Sequence, residues 1–387
     1  MIASGLSRLI SVLSVLVATA SFGQSSNWPP TVRLLRTPEG GLQPQVVADE
    51  KGAWHLAYLK GDPAACDVFY AVRQPGQTDF GSSIRVNSIS GSAVALGTIR
   101  GVQLALGRNG YVHVAWNGST KGKQHGEGAS MYYTHSNEAR NGFEPERNLM
   151  KASTALDGGG SVAADDKGNV FVVWHGRPTG GSEGEANRVV LVARSTDDGK
   201  TFTAERQVSP KGRGACGCCG LKAFADSKGR LGVLYRAATV GTERDATLLI
   251  SGDNGDSFKD LSIGPWRAST CPMSSMSLVQ GAGDIWEAAW ETGTKIQVGQ
   301  VKLATISCDV VEPEGTGKRK HPVALSQGTT RLIAWVEDSA WGKGGSLVWE
   351  LTDVKSGRKS TGRGPGVPAW SRISAVADNQ GGFTIIY

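Results

Sequence analysis

The sequence lacks several features that usually reveal a function. After the N-terminal region there is no apolar run long enough to span a membrane, and the Lys and Arg residues are scattered rather than gathered into the basic stripe that nucleic acid requires. There is no phosphate-binding loop and no His-Glu-x-x-His motif. No long segment has the apolar period of an amphipathic helix. These absences argue against a second membrane segment, a nucleic-acid partner and a helical domain.

The first residues predict export. One positive charge, Arg8, precedes an apolar run from Leu9 to Ala20, and small residues follow it. This pattern is typical of a secretory signal, here residues 1–23 with cleavage near Gly23–Gln24. We therefore expect a secreted or periplasmic protein whose mature part, residues 24–387, has no membrane span. A retained membrane anchor is the alternative.

Net charge and cysteine content indicate which ligands and which disulfides are possible. The chain has a formal charge of +6, of which Arg8 contributes one, so an anionic ligand is compatible with the mature protein. Six cysteines in an oxidising compartment allow disulfides, but the sequence does not fix their pairing. Cys66 and Cys308 form one candidate pair.

A repeat organises the chain into an all-β protein. Seven segments share a register: a short apolar strand, a polar turn and a more apolar strand that ends in an aromatic residue. In five of them the turn contains a Gly six residues before that aromatic, which suits a tight hairpin with positive φ. The aromatics recur every 45 to 61 residues and are Tyr58, Trp116, Trp174, Tyr235, Trp290, Trp335 and Tyr387. This period predicts four-stranded propeller blades.

The blade count and the ring closure follow from the two ends of the chain. The seventh unit stops at Tyr387, at the end of its second strand. Residues 31–37 resemble the outer strand of a blade and precede the first repeat. We expect this N-terminal strand to complete the last blade and close a single seven-bladed domain. Six blades with an appended hairpin are the alternative.

Two segments connect the repeat to a known family. Ser195, Asp197, Gly199 and Phe202 follow the pattern Ser-x-Asp-x-Gly-x-x-aromatic. The same pattern recurs one unit later at Ser251, Asp253, Gly255 and Phe258. Both resemble the Asp-box, or BNR, repeat of sialidase-like propellers, and the resemblance implies that fold. The Asp-box residues themselves are structural, because the carboxylate accepts bonds within its own turn.

The resemblance does not extend to sialidase catalysis. The family's enzymes hold a carboxylate with three arginines, the first in an Arg-Ile-Pro motif, and use a Tyr–Glu pair and an Asp acid. In this chain Arg36, Thr37 and Pro38 depart from that motif, and Asp62 is out of place for the acid. Fold likeness alone does not carry activity. An enzyme of glycoside hydrolase type therefore stays open.

Propeller geometry predicts which loops meet. If the strands of a blade are named A to D from the axis outward, the D–A and B–C loops share one face, and the A–B and C–D turns share the other. The stretch "GRGACGCCGLKAF" is a D–A loop, so its cysteines are expected at the mouth of the central channel. The next D–A loop adds Cys271 and Met273.

Three interpretations of these thiols remain open, and one of them is a reactive thiol that takes part in catalysis. In the first, Cys271 forms a disulfide with one residue of the cluster Cys216, Cys218 and Cys219. In the second, the thiolates and the Met273 thioether bind a soft metal such as Cu(I), with His175 assisting. Copper is therefore the candidate cofactor.

The same face collects candidate ligand and acid residues. Arginines bind carboxylate and phosphate groups in fork geometry. The candidates for ligand binding are Arg236, Arg244, Arg188, Arg177 and Asn117. The candidates for acid–base chemistry are Glu185, Glu291, Asp245 and His175.

Three functions compete on these grounds. The first is an exported protein that binds or acts on an anionic ligand, a glycan above all, at the D–A/B–C face. The second is a soft-metal protein, and the third is a scaffold without catalysis. The sequence does not name the sugar or decide between binding and cleavage.

Overall fold

A computed structural model describes residue 1 and residues 28–121, 128–239 and 241–387. These residues form seven β-sheets arranged around an axis, which is the seven-bladed propeller that the repeat predicts. The inner strands of neighbouring blades contact one another in order around the whole ring. The predicted signal segment lies outside the described residues. None of the helices that the structure describes is long and apolar enough to cross a membrane.

The first four blades follow one another in chain order. Strand β1 is Val32–Leu35, and blade 1 has β2 Leu42–Ala48, β3 Trp54–Asp62, β4 Ala65–Arg73 and β5 Ile84–Arg85. Blade 2 has β6 Gln103–Leu106, β7 Val112–Asn117, β8 Met131–His135 and β9 Arg147–Asn148. Blade 3 has β10 Ser153–Thr154, β11 Ser161–Ala164, β12 Val170–Pro178, β13 Val189–Ser195 and β14 Arg206–Gln207. Blade 4 has β15 Gly214–Ala215, β16 Lys222–Ala225, β17 Leu231–Ala238, β18 Ala246–Ser251 and β19 Lys259–Gly264.

The remaining blades are more regular. Blade 5 has β20 Met276–Gln280, β21 Ile285–Thr292, β22 Lys295–Lys302 and β23 Ser307–Val311. Blade 6 has β24 Arg319–Gln327, β25 Thr330–Glu337, β26 Gly345–Asp353 and β27 Lys359–Val367. Blade 7 has β28 Ser374–Ala377 and β29 Phe383–Ile386. Short 3₁₀ segments lie at Pro38–Gly40, Arg108–Gly110 and Glu185–Asn187.

The N-terminal strand closes the ring, as expected, but its place in the blade differs from the prediction. Strand β1 pairs directly with β29 and runs parallel to it, from Val32 opposite Phe383 to Leu35 opposite Ile386. Strands B and D of an antiparallel blade point the same way. Because the seventh blade has no C strand, a chain running in the D direction meets B in parallel. Among the residues that the structure describes, this blade therefore has three strands and none lies outside β1.

The recurring aromatics seal the joints between blades. All seven are buried, with exposures between 0 and 7 %. Trp174 of blade 3, for example, packs in a cluster with Ala115 and Met131 of blade 2. Trp290 of blade 5 packs in the same way with Leu234 and Leu248 of blade 4. One large ring for each blade thus fills the wedge against the preceding sheet, which explains the shared register of the sequence.

The two Ser-x-Asp-x-Gly turns have matching hydrogen bonds on the C–D face. Ser195 Oγ donates to Asp197 at 2.7 Å and accepts the Gly199 N–H at 2.9 Å. Ser251 and its partners Asp253 and Gly255 repeat this at 2.7 and 2.8 Å. A Cβ on Gly199 would collide with the ring of Tyr133 in the neighbouring blade. The glycine is therefore needed for the blades to approach, and these carboxylates are occupied within their own turns.

Candidate functional site

The D–A loops of blades 4 and 5 are joined covalently at the predicted face. Cys218 and Cys271 form a disulfide. Beside it, the Gly220 N–H donates to the Ser274 carbonyl at 2.9 Å. The two loops therefore meet where the propeller topology predicts. Cys66 and Cys308 lie in blades 1 and 5 and are unpaired, so that candidate pair is not formed.

The other two cysteines of the cluster form a buried thiol pair. The Sγ atoms of Cys216 and Cys219 are 2.8 Å apart, and Cys216 Sγ is 3.6 Å from Cys218 Sγ. Burial would raise the pKa of the Cys219 thiol, but the hydrogen bond with Cys216, the charge of Arg236 and the hydroxyl of Ser274 outweigh it and lower the pKa to about 7. The hydrogen bond with Cys219 and burial raise the pKa of Cys216. Cys219 is therefore the sulfur that more readily carries the charge.

Arg236 is the centre of a network that ties the loops together. It is 1 % exposed, and its three side-chain nitrogens donate to Ser274 Oγ at 2.8 Å, to the Arg244 carbonyl at 2.6 Å and to the Glu291 carbonyl. Its guanidinium also lies over the ring of Trp266, 4.7 Å from the centroid. A side chain with these partners positions the loops around it and does not reach a ligand.

The other arginine candidates divide by their partners. Arg244 pairs with Glu185, which also accepts the Gly217 N–H at 3.0 Å. Arg177 pairs with Glu183 at 3.2 Å. Arg188 donates to the Ala155 carbonyl, stays partly exposed and has no carboxylate partner within the described ranges. Of the arginines that the sequence singles out, only Arg188 thus keeps an unneutralised charge near solvent.

Three further candidates contact the backbone of neighbouring loops: Asn117, His175 and Asp245. Asn117 donates to the Gly158 carbonyl and accepts the Gly160 N–H at 3.1 Å. His175 Nε2 lies 2.8 Å from the Cys219 carbonyl, and burial lowers the pKa of its imidazole. Asp245 accepts the Trp266 N–H at 2.9 Å. The structure places all three at the face that the topology predicts, in roles that shape the loops.

Glu291 is a buried carboxylate with a full set of partners. It lies 2.9 Å from Lys320 Nζ and accepts the N–H groups of Ser275 at 3.0 Å and His321 at 2.9 Å. Burial would raise the pKa of this carboxyl, but Lys320, His321 and those N–H bonds outweigh it and lower the pKa. A carboxylate held ionised in this way is poorly suited to donate a proton.

A loop segment covers the axial end of the ring at this face. Residues 95–101, from the D–A loop before blade 2, contact loops of distant blades. The Ala95 carbonyl accepts a bond from Gln43 at 2.5 Å. A Cβ on Gly97 would come within 2.9 Å of Met273 Cε and 3.1 Å of Trp341 Cζ3, which belong to blades 5 and 6. Because blades 1, 5 and 6 meet here, the segment crosses the axis, a closure that the sequence does not predict.

An aromatic pair lies on this cover. Trp341 is 58 % exposed and meets Trp370 edge-on, with ring centroids 5.2 Å apart. Trp370 and Met273 both have positive φ, of 60° and 43°. Non-Gly residues in that region are uncommon and cluster at functional positions. An exposed indole that rests on a second, fixed indole is a ready platform for an apolar ligand face.

Beneath the cover the inner strands line a cationic cavity. It has about 80 Å³ of accessible space, and its lining includes Lys222, His321 and Arg372 but no Asp or Glu. Sequence reasoning missed Lys222 and Arg372, as it missed Trp341. The available signal was position: Lys222 is the first residue of inner strand β16, and Arg372 lies two residues before inner strand β28.

The fold is that of the seven-bladed sialidase-like propellers. No family model matches the chain, and no curated protein matches it. Among solved structures it is similar to a protein of unknown function from Dyadobacter fermentans, with a TM-score of 0.53 and 13 % identity over 83 % of this chain and 96 % of that one.

Two enzymes named for different sugars are also similar to this chain in structure. The microbial sialidase Hz136 has a TM-score of 0.53 and 12 % identity over 82 % of this chain and 66 % of its own. The α-L-arabinofuranosidase Arb93A from Fusarium graminearum, solved with an iminosugar inhibitor, has a TM-score of 0.53 and 11 % identity over 85 % and 98 %. At these identities the likeness concerns the fold.

Proposed function

We propose that the protein is exported and binds an anionic glycan at the D–A/B–C face, over the covered axial end. The observation that carries this proposal is the exposed Trp341 on its Trp370 support. A pyranose ring presents one face of C–H groups, and such a face stacks on an indole with hydroxyls directed to water. The glycan-acting neighbours of the same fold support a sugar ligand.

Positive charge at the same face supports the anionic character of the glycan. Arg188 has no carboxylate partner among the described residues and is partly exposed. Arg372 lies two residues after Trp370, the support of Trp341, and its guanidinium points under the cover. These positive charges at the same end of the ring would attract a sugar that bears a carboxylate or sulfate. The two Ser-x-Asp-x-Gly turns, which we interpret as Asp boxes, belong to the other face and take no part.

The proposal concerns binding, because the acid candidates are occupied. Glu291 is paired with Lys320, and Glu185 with Arg244. Hydrolysis needs an acid and a base or nucleophile that are free to react at a defined separation. Export rests on the signal pattern of residues 1–23 and is tested by the N-terminus of the mature protein.

Calorimetric titration with acidic and neutral oligosaccharides of equal length tests this proposal. We expect binding of uronate-containing or sulfated chains, at least ~10-fold stronger than binding of neutral ones, which corresponds to about 1.4 kcal/mol. Trp341→Ala should abolish it, while Val354→Ala, an exposed apolar residue in a C–D turn, should leave it unchanged. Equal affinity in wild type and Trp341→Ala would reject the proposal. Turnover of a fluorogenic sialoside would show that the protein is an enzyme and not only a binding protein.

A second candidate function, soft-metal binding, is favoured by one observation. The Sγ atoms of Cys216, Cys218 and Cys219 all lie within 4.8 Å of one another. With Cys218 in a disulfide, Cys216 and Cys219 supply two thiolates, which suits Cu(I).

Metal analysis and a thiol count separate this candidate from a purely structural role. A copper site predicts one copper per chain that is lost in Cys219→Ser and kept in Cys308→Ser, together with four free thiols in the metal-free protein. Two free thiols and no copper would mean a second disulfide, between Cys216 and Cys219.

A further inference from the structure

The cationic cavity beneath the axial cover differs from the network around Arg236 in the partners of its charged side chains. Its two cations have no counter-charge among the described residues. Lys222 Nζ donates to Gln103 Oε1 at 2.9 Å. The guanidinium of Arg372 makes no hydrogen bond or ion pair in the ranges that the structure describes, and its Nη2 is wholly inaccessible. Glu291 lies behind His321, but its charge is matched by Lys320.

Proximity and burial make this arrangement unfavourable when the cavity holds only water. Burial and the charge of Arg372 lower the pKa of Lys222 to about 7, and burial lowers the pKa of Arg372 to about 10. Partly buried charges without a partner are unfavourable. Chains retain such charges where something else neutralises them.

The cavity has the size and the donors for that neutralising group. Its 80 Å³ of accessible space is well above the roughly 10–15 Å³ that one water requires. Ser277 lines it with a buried hydroxyl that has no partner among the described residues. Arg372 Nη2 and the unpartnered Gln43 Oε1 both approach the Gly101 backbone, so the arginine points under the cover.

We infer that this cavity is a binding site for a single oxyanion, held by Lys222 and Arg372. The chemistry recognised is a planar or tetrahedral group of negatively charged oxygens, which a guanidinium and an ammonium bind through charge-assisted bonds. Its source is either a free ion such as phosphate or sulfate, or the acidic group of the proposed glycan ligand. The inference stands on the unpaired charges and does not require Trp341.

The test compares stability and binding in Arg372→Met and Lys222→Met with those of the wild type. In buffers that contain only chloride, Arg372→Met should unfold at a higher temperature than wild type, because an uncompensated charge is gone. Added inorganic phosphate, at matched ionic strength, should raise the wild-type melting temperature and leave that of Arg372→Met unchanged. Arg177→Met, at an exposed ion pair, is the control and should respond like wild type.

Calorimetry with phosphate and with glucuronate distinguishes the two sources. Binding of phosphate that persists in Trp341→Ala supports a free-ion site, whether or not the glycan proposal holds. Binding of glucuronate alone, lost in Arg372→Met, supports the glycan's acidic group. The inference is overturned if neither ligand shifts the wild type relative to chloride, or if Arg372→Met responds as the wild type does.

Discussion

Two groups of cations lie at one end of this ring, one buried around Arg236 and one partly buried around Arg372, and they differ in what surrounds them. Around Arg236 the guanidinium nitrogens and the neighbouring carboxylates are all matched by protein partners. Around Arg372 the cations face a cavity without a carboxylate in its lining. The first group stabilises the loops, and the second leaves charge available for a ligand. Position on the functional face is therefore a weaker guide to function than the partners of each side chain.

The largest expected effect is on the paired network. Arg236→Met should destabilise the protein by about 3–5 kcal/mol, since it removes the donor of a buried polar network and leaves the Arg244 and Glu291 carbonyls without their partner. Urea unfolding measures this. Arg177→Met, at an exposed pair, should change stability by less than about 0.5 kcal/mol. If Arg236→Met were as mild as its control, the distinction between the two groups would fail.

The disulfide should contribute the next largest effect. Replacing both Cys218 and Cys271 by Ser frees two loops that are 53 residues apart in sequence and should cost about 2–4 kcal/mol. Thermal unfolding measures this loss of stability, with Cys308→Ser as the control variant. A double variant as stable as Cys308→Ser would show that hydrogen bonds alone hold these loops.

Lys222, which has no carboxylate partner, should affect how the stability of the protein depends on pH. The pKa of Lys222 is lowered on folding, so between pH 7 and about 10 the unfolded chain binds the extra proton and stability rises with pH. His321 and Arg372 are the other titratable groups in the cavity lining. In chloride buffer the wild type should therefore gain stability relative to Lys222→Met across this window. Parallel pH profiles would mean that Lys222 is not held in a cationic cavity.

The smallest effect on stability should come from the aromatic platform. Trp341→Ala removes an exposed ring and should change the free energy of unfolding by less than about 0.5 kcal/mol. Its binding defect in the oligosaccharide titration then reflects lost ligand contact. A large loss of stability would identify Trp341 as a support for the cover instead.

Most of the fold could be predicted because each blade repeats a local pattern. The aromatic at the end of every B strand and the turn glycine before it reflect packing that recurs seven times. Residues 31–37 resemble an outer strand, so the repeat alone does not show that β1 pairs directly with β29. The resemblance to the Asp-box family named the fold correctly through turns that lie opposite the candidate site.

The sequence predicted which loops meet at the candidate site but not the partners of their side chains. Topology correctly brought Cys218 to Cys271 and Arg236 to their loops. It could not show that every side-chain nitrogen of Arg236 has a hydrogen-bond acceptor and that the guanidinium of Arg372 has none among the described residues. Partners such as the Glu291 carbonyl come from other blades. The segment that crosses the axis was equally hidden, since nothing in residues 95–101 signals its path.

The most direct test of this account is the affinity of the wild type, Arg372→Met and Arg177→Met for inorganic phosphate and for glucuronate, measured by titration calorimetry under identical conditions. The account predicts that Arg372→Met loses binding by at least ~10-fold, or about 1.4 kcal/mol, while Arg177→Met binds like the wild type. Unchanged affinity in Arg372→Met, or equal losses in the two variants, would contradict it.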